Sequence, residues 1–268
     1  PFANATQRDA AGTVVAFALT ALLTVQASVS PAETVAPQDP SRVREIAALL
    51  RPEPGFAETR IGNRAEWERI AQIRPKSTKA VITYAERLIA RPMPVVDDAD
   101  YVKIYPWNRP HVGRYGQLAP LTLAECLENK GRFLPRIVEI LETIAAMRTW
   151  VNPYHDRPNF KSFNGKWRKL ELGNGMTVEA LAYALDILRD RLPADCIRRV
   201  KAAIRAQTLD VYLDIARDGA AAKRNGCGWY GGLYNWNAAC CSYFTTAALL
   251  LLDDPTERAE AIELAERS

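Results

Sequence analysis

Several features that would settle a function early are scarce or missing in this 268-residue chain. Only two histidines and five cysteines occur, the cysteines odd in number and scattered, with no C-x-x-C pair and no His-rich spacing. That argues against a zinc module and against a disulfide framework, and no metal or other cofactor is expected. Basic side chains number 35 against 31 acidic ones, and they form no concentrated stripe. A nucleic-acid partner has no footprint here. The 17 prolines and 14 glycines follow no period, so a repeat array is excluded. No stretch alternates apolar and polar residues for long, which removes the usual signature of half-buried strands. With 48% hydrophobic and 25% charged residues, what remains is a globular chain large enough to bury a substantial core.

The apolar run Thr13 to Ala27, about fifteen residues without a charge, is too short and isolated for a bilayer-spanning helix. Arg8 precedes it, and small residues at Val25-Gln26-Ala27 and Ser28-Val29-Ser30 follow. Residues 1–30 therefore read as an export signal, with a buried helix as the plainer alternative, and residues 31–41 as a Pro-rich spacer. A secreted or periplasmic protein follows from that reading, with no membrane partner once the signal is removed. Export permits disulfides, and Cys227, in a glycine-rich loop, is placed to pair with Cys240 or Cys241; those two are otherwise small core residues.

From residue 42 onward the apolar period is close to 3.6. Stripes at Val43, Ile46, Ala47 and Leu50 open the series. Helices are then expected over Arg64–Ile73, Thr78–Ala90, Leu121–Asn129 and Phe133–Trp150, from Thr177, from Pro193 to Asp218, over Asn235–Leu252, and from Pro255. Pro92 to Pro120, Asn152 to Gly175 and Ala220 to Tyr234 break the pattern. Long irregular stretches inside a compact domain are often functional. Short links between long helices favour antiparallel hairpins, so the fold class is all-α.

Three segments carry a resemblance. W-V-N-P-Y-H-D (Trp150–Asp156), F-N-G-K (Phe163–Lys166) and G-W-Y-G-G-L-Y-N-W-N-A-A-C (Gly228–Cys240) together resemble the N-terminal toroid of heparinase II/III-like proteins. The resemblance implies an incomplete (α/α) toroid of antiparallel helical hairpins over residues 42–268. It implies a polysaccharide lyase acting on a uronate-containing glycan such as a glycosaminoglycan or alginate. In that family a catalytic Tyr lies on helices beyond the N-W-N segment, and a further His comes from a β-sandwich domain. Neither stretch falls within this chain, so the resemblance places the general base beyond Ser268.

Elimination removes the C5 proton alpha to a carboxylate, which requires hydrogen-bond donors on that carboxylate and a base. Asn235, at the mouth of a helix, is the candidate donor, with plain N-capping as its structural alternative. Family members often carry a His after this Asn; here Trp236 stands in that place and offers a stacking surface instead. Asn237 is the alternate donor. His155 is the candidate catalytic histidine, with Asp156 placed to orient its ring. Trp229, Tyr230 and Tyr234 are read as a sugar-binding cluster, and Lys166, with Arg168 and Lys169, as a contact for an acidic polymer. His111 carries no motif. A glycoside hydrolase using Asp156 and Glu171, and a glycan-binding protein without catalysis, are the competing readings.

Overall fold

Helix follows helix through this computed structural model, and no strand is present among the residues it describes, 35–92, 98–103 and 115–268. The fold is all-α. The proposed export segment and His111 lie outside the described residues. These residues belong to one compact unit, Ala32–Ser268.

Helix α1 is Pro40–Leu49, α2 Arg64–Ile73, α3 Pro75–Ile89, α4 Asp98–Lys103, α5 Leu118–Glu128 and α6 Leu134–Ala145. A single turn, α7, covers Pro153–Asp156; α8 is Leu172–Ile187 and α9 Ala194–Ile204. A π-helical turn at Arg205–Leu209 leads into α10, Asp210–Arg217, and the short α11, Ala220–Arg224. The chain closes with α12, Asn235–Leu251, and α13, Pro255–Arg267.

Two kinds of helix alternate. Helices α5, α8 and α12 are apolar on nearly every side, which is the composition of helices surrounded by protein. They are neighbours: α8 packs along α12 more extensively than any other pair, and also meets α5. Helices α6, α9 and α10 are amphipathic. Each buries one stripe, such as Ile137, Ile140, Leu141 and Ile144 on α6 or Cys196, Val200 and Ile204 on α9. Helix α6 packs on α9, and α10 on α13. A small separate cluster joins α1 to α13 through Val43, Ile46 and Ala259. None of the described helices is long and apolar enough to cross a membrane.

Two expected helices hold closely. Helix α2 matches residue for residue, and α12 ends one residue early. The largest errors, five residues each, are at the end of α6, which stops at Ala145 rather than Trp150, and at the start of α8, which begins at Leu172 rather than Thr177. Gly173 and Gly175 gave that segment the look of a loop, but both glycines meet a spatial demand. A Cβ on Gly173 would stand 2.6 Å from Glu171 Oε1, and one on Gly175 would stand 2.6 Å from the Tyr243 ring. Helices α4 and α11 also lie inside stretches expected to be irregular. The proposed Cys227 disulfide is corrected too. All five cysteines are free and buried, and burial pushes the Cys227 thiol up to about 11.

Candidate active site

The long segment after Trp150 is held by two buried carboxylates. Asp156 accepts from the backbone N–H groups of Ser162 (2.8 Å) and Phe163 (2.9 Å) and from the Tyr101 hydroxyl (3.3 Å). The Phe163 ring stacks on Tyr101 with centroids 4.6 Å apart. Asp156 is therefore the knot that ties the loop and does not orient His155. That corrects the sequence expectation: the adjacent acid was the wrong partner.

The partner is Glu171, sixteen residues downstream. Glu171 is the N-cap of α8 in a reciprocal capping box. Its Oε1 accepts from Asn174 N–H (3.0 Å), and its own N–H donates to Asn174 Oδ1 (2.8 Å). The same oxygen accepts from Asn152 N–H at 2.9 Å, while Oε2 bonds His155 Nδ1. Burial pushes the Glu171 carboxyl up. His155 and the backbone N–H groups of Gly173 and Asn152 outweigh that effect and leave it below its ordinary range. An ionised Glu171 accepts from Nδ1–H, so in the neutral ring the lone pair lies on Nε2.

Turn α7 sets the histidine in place. Asn152 caps it through Oδ1 to Tyr154 N–H (2.9 Å), and the Lys169 ammonium donates to the His155 carbonyl (2.7 Å). The imidazole side chain keeps 15% of its surface open while Glu171 keeps none. One edge of the ring packs against Trp236 of α12, with centroids 4.7 Å apart. Through these contacts the N-terminal ends of α8 and α12 meet at His155.

The α12 end is open where the α8 end is closed. Its N-cap is Tyr234, whose side chain makes no capping bond. The Asn237 N–H reaches the Tyr234 carbonyl at 3.0 Å, but those of Asn235 and Trp236 have no partner among the described residues. Asn235 is exposed in the first turn and is not the N-cap, so the plain capping explanation for it fails. Its amide makes no hydrogen bond within the described residues.

The remaining predicted residues divide. Trp229 is 1% exposed, donates to the Leu170 carbonyl (2.9 Å) and packs toward Phe244; it is core, not a sugar platform. Asn237 is buried and satisfied. Its amide donates to the carbonyls of Gly232 (3.0 Å) and Ser268 (2.8 Å), and its oxygen accepts from Ser268 Oγ (3.1 Å) and faces the Cys241 thiol. It has nothing left to donate to a substrate. Tyr230 is half-buried against Gly219, with its hydroxyl accepting from Arg267 (3.1 Å). Tyr234 folds over Gly232, where any Cβ would fall 2.1 Å from its ring, and donates to the Gly228 carbonyl (2.6 Å); one face remains exposed. Lys166 is exposed and away from the His155 contacts.

Further groups, missed in the sequence, line the faces of α8 and α12 beyond the histidine. Glu179 is raised by burial, and the phenols of Tyr183 and Tyr243 are raised by their own burial and, to a lesser extent, by the Glu179 charge. Tyr115 sets its hydroxyl 3.7 Å from Met176 Sδ and is raised by burial and by Glu171. Only Glu179 and Tyr183 show a usable signal, standing four apart on one helix face. The hydrolase reading loses support, because both acids it needs, Asp156 and Glu171, are buried and committed to backbone donors. The chain matches no protein-family model and no curated protein.

Proposed function

We propose that this chain is the helical part of a polysaccharide lyase that cleaves a uronate-containing glycan by β-elimination. The carrying observation is the His155–Glu171 dyad packed beside the uncapped N-terminus of α12. The likeness to heparinase II/III-like proteins in the Trp150–Asp156 and Gly228–Cys240 segments supports the same reading. So does the alternation of apolar helices α5, α8 and α12 with amphipathic ones, the order expected of an incomplete (α/α) toroid.

The substrate carboxylate docks at the α12 end, taking the free N–H groups of Asn235 and Trp236 and the Asn235 amide. Those donors stabilise the enolate-like charge that builds as the C5 proton leaves. In this reading His155 Nε2, rather than a group beyond Ser268, takes that proton, and the Glu171 carboxylate stabilises the imidazolium. The C5–H electron pair becomes the C4–C5 double bond as the C4–O bond breaks; the departing oxygen takes a proton from water, and the His155 imidazolium returns its proton to solvent to restore the base. Trp236 and the exposed face of Tyr234 supply flat apolar surfaces for sugar rings. Elimination in this reading needs no metal or cofactor.

The test follows the ultraviolet absorbance of the unsaturated sugar over a panel of uronate polysaccharides. Wild type is expected to raise it, and Asn235→Ala and His155→Ala to abolish the rise in folded protein. Reducing ends without absorbance, or a rise that survives both substitutions, would overturn the proposal.

A further inference from the structure

A concavity adjoins the capping box at Asn174. It is a cavity of about 180 Å³ between the Ser162–Lys169 loop, the first turn of α8 and the π-helical turn. Liquid water takes about 30 Å³ per molecule, so the space exceeds a single water. It falls short of the roughly 300 Å³ at which pockets for whole small molecules begin. The size suits one compact substituent.

Its lining has one sign of charge. Arg148, Arg168 and Lys169 contribute to it and no carboxylate does. Arg148 and Arg168 reach outward to Asp98 (3.4 Å) and Asp214 (3.1 Å), in pairs whose members are all about half exposed. Such surface pairs are weak and readily exchanged for another anion. Lys169 forms no ion pair among the described residues; one N–H of its ammonium goes to the His155 carbonyl, which leaves two donors. Gln207, placed by the π turn, fixes the inner wall through Trp150 N–H (3.1 Å) and the Met147 carbonyl (2.9 Å). Ser162 lines the same cavity at 6% exposure, and its buried hydroxyl has no partner among the described residues. A buried orphan hydroxyl is uncommon and calls for an occupant that accepts from it.

We propose that this cavity binds a single sulfate or phosphate group, held by Lys169, Arg168 and the Ser162 hydroxyl. A tetrahedral oxyanion matches the cations, accepts from the orphan hydroxyl and fits the volume. The group arrives either as a free ion or as an ester on a saccharide. The proposal rests on the cavity alone and stands or falls separately from the elimination chemistry.

Calorimetric titration of the full chain with inorganic sulfate, inorganic phosphate and a sulfated uronate disaccharide tests it, with the unsulfated disaccharide as control. Binding of a sulfate or phosphate carrier is expected to weaken at least tenfold in Lys169→Gln and severalfold in Ser162→Ala. Asp214→Asn, which releases Arg168, is expected to tighten it. Free ions binding as well as the ester identifies the ion as sufficient; ester binding alone identifies the saccharide as the source. Thermal melting covers the case of a variant that loses its fold. Ser162→Ala is expected to melt above wild type without anion and to lose that advantage when sulfate is added. No binding of any oxyanion, binding equal in wild type and Lys169→Gln, or a sulfate-independent melting difference would overturn the proposal.

Discussion

Helices α8 and α12 lie side by side and present their N-termini to the same histidine, yet one end is plugged and the other is not. At α8 the protein's own carboxylate, Glu171, occupies the positive end and satisfies backbone donors of the first turn. At α12 the equivalent position is Tyr234, which turns its hydroxyl back to Gly228 and caps nothing. A helix N-terminus favours an anion, so the first end shows what the second lacks. In the proposed lyase the closed end orients the base and the open end receives the substrate's carboxylate.

Unplugging α8 carries the largest expected cost. Glu171→Gln removes a buried charge shared by His155 and the backbone, and losing one partner of a buried pair costs about 3–5 kcal/mol. Urea unfolding measures it. The same carboxylate sets a pH dependence. Its pKa is lowered in the fold from the ordinary 4.5, so the unfolded chain binds more protons between the folded value and 4.5. Its stabilisation is fully present above that window and is lost as pH falls through it. The acid limb of stability is expected to flatten in Glu171→Gln.

The two asparagines at the open end separate next. Asn237→Ala strands the Gly232 carbonyl and is expected to cost about 1–3 kcal/mol. Asn235→Ala removes no intramolecular bond and is expected to change stability by less than about 0.5 kcal/mol while abolishing turnover. Equal stability losses would mean that Asn235 has a structural partner. Closing the open end is the converse experiment. Tyr234→Asp supplies the missing cap and is expected to add about 1 kcal/mol over Tyr234→Ala. It should also exclude the substrate carboxylate, so a gain in melting temperature with a loss of turnover is the expected pair.

This contrast was only partly legible in the residues. The 3.6 period located α2, and a strongly apolar run located α12, because both are local information. The period failed at α8, where Gly173 and Gly175 answer to Glu171 and Tyr243 rather than to the helix itself. The acid next to His155 in the chain drew attention from the one that reaches it through the fold, since Asp156 and Glu171 differ only in where the loop returns. Trp229 and Trp236 lie in the same short motif, yet one is core and the other borders His155. Chemical type marks a candidate; packing decides which candidate faces the site.

The smallest effect belongs to Glu179, two turns beyond the plugged end on α8. Unlike Glu171 it has no hydrogen bond among the described residues, and burial raises its carboxyl instead of donors lowering it. The sign of its linkage is therefore opposite. The folded chain holds the proton more tightly than the unfolded one, so its contribution favours folding at low pH and is lost as pH rises through the raised value. Glu179→Gln imitates the protonated form. Its melting temperature is expected to exceed wild type slightly at pH 7 and to match it near pH 4, since the half-open position lets solvent screen most of the charge. A stabilisation that persists undiminished at low pH would mean that the gain comes from packing, and that the wall of α8 beyond His155 holds no strained carboxylate.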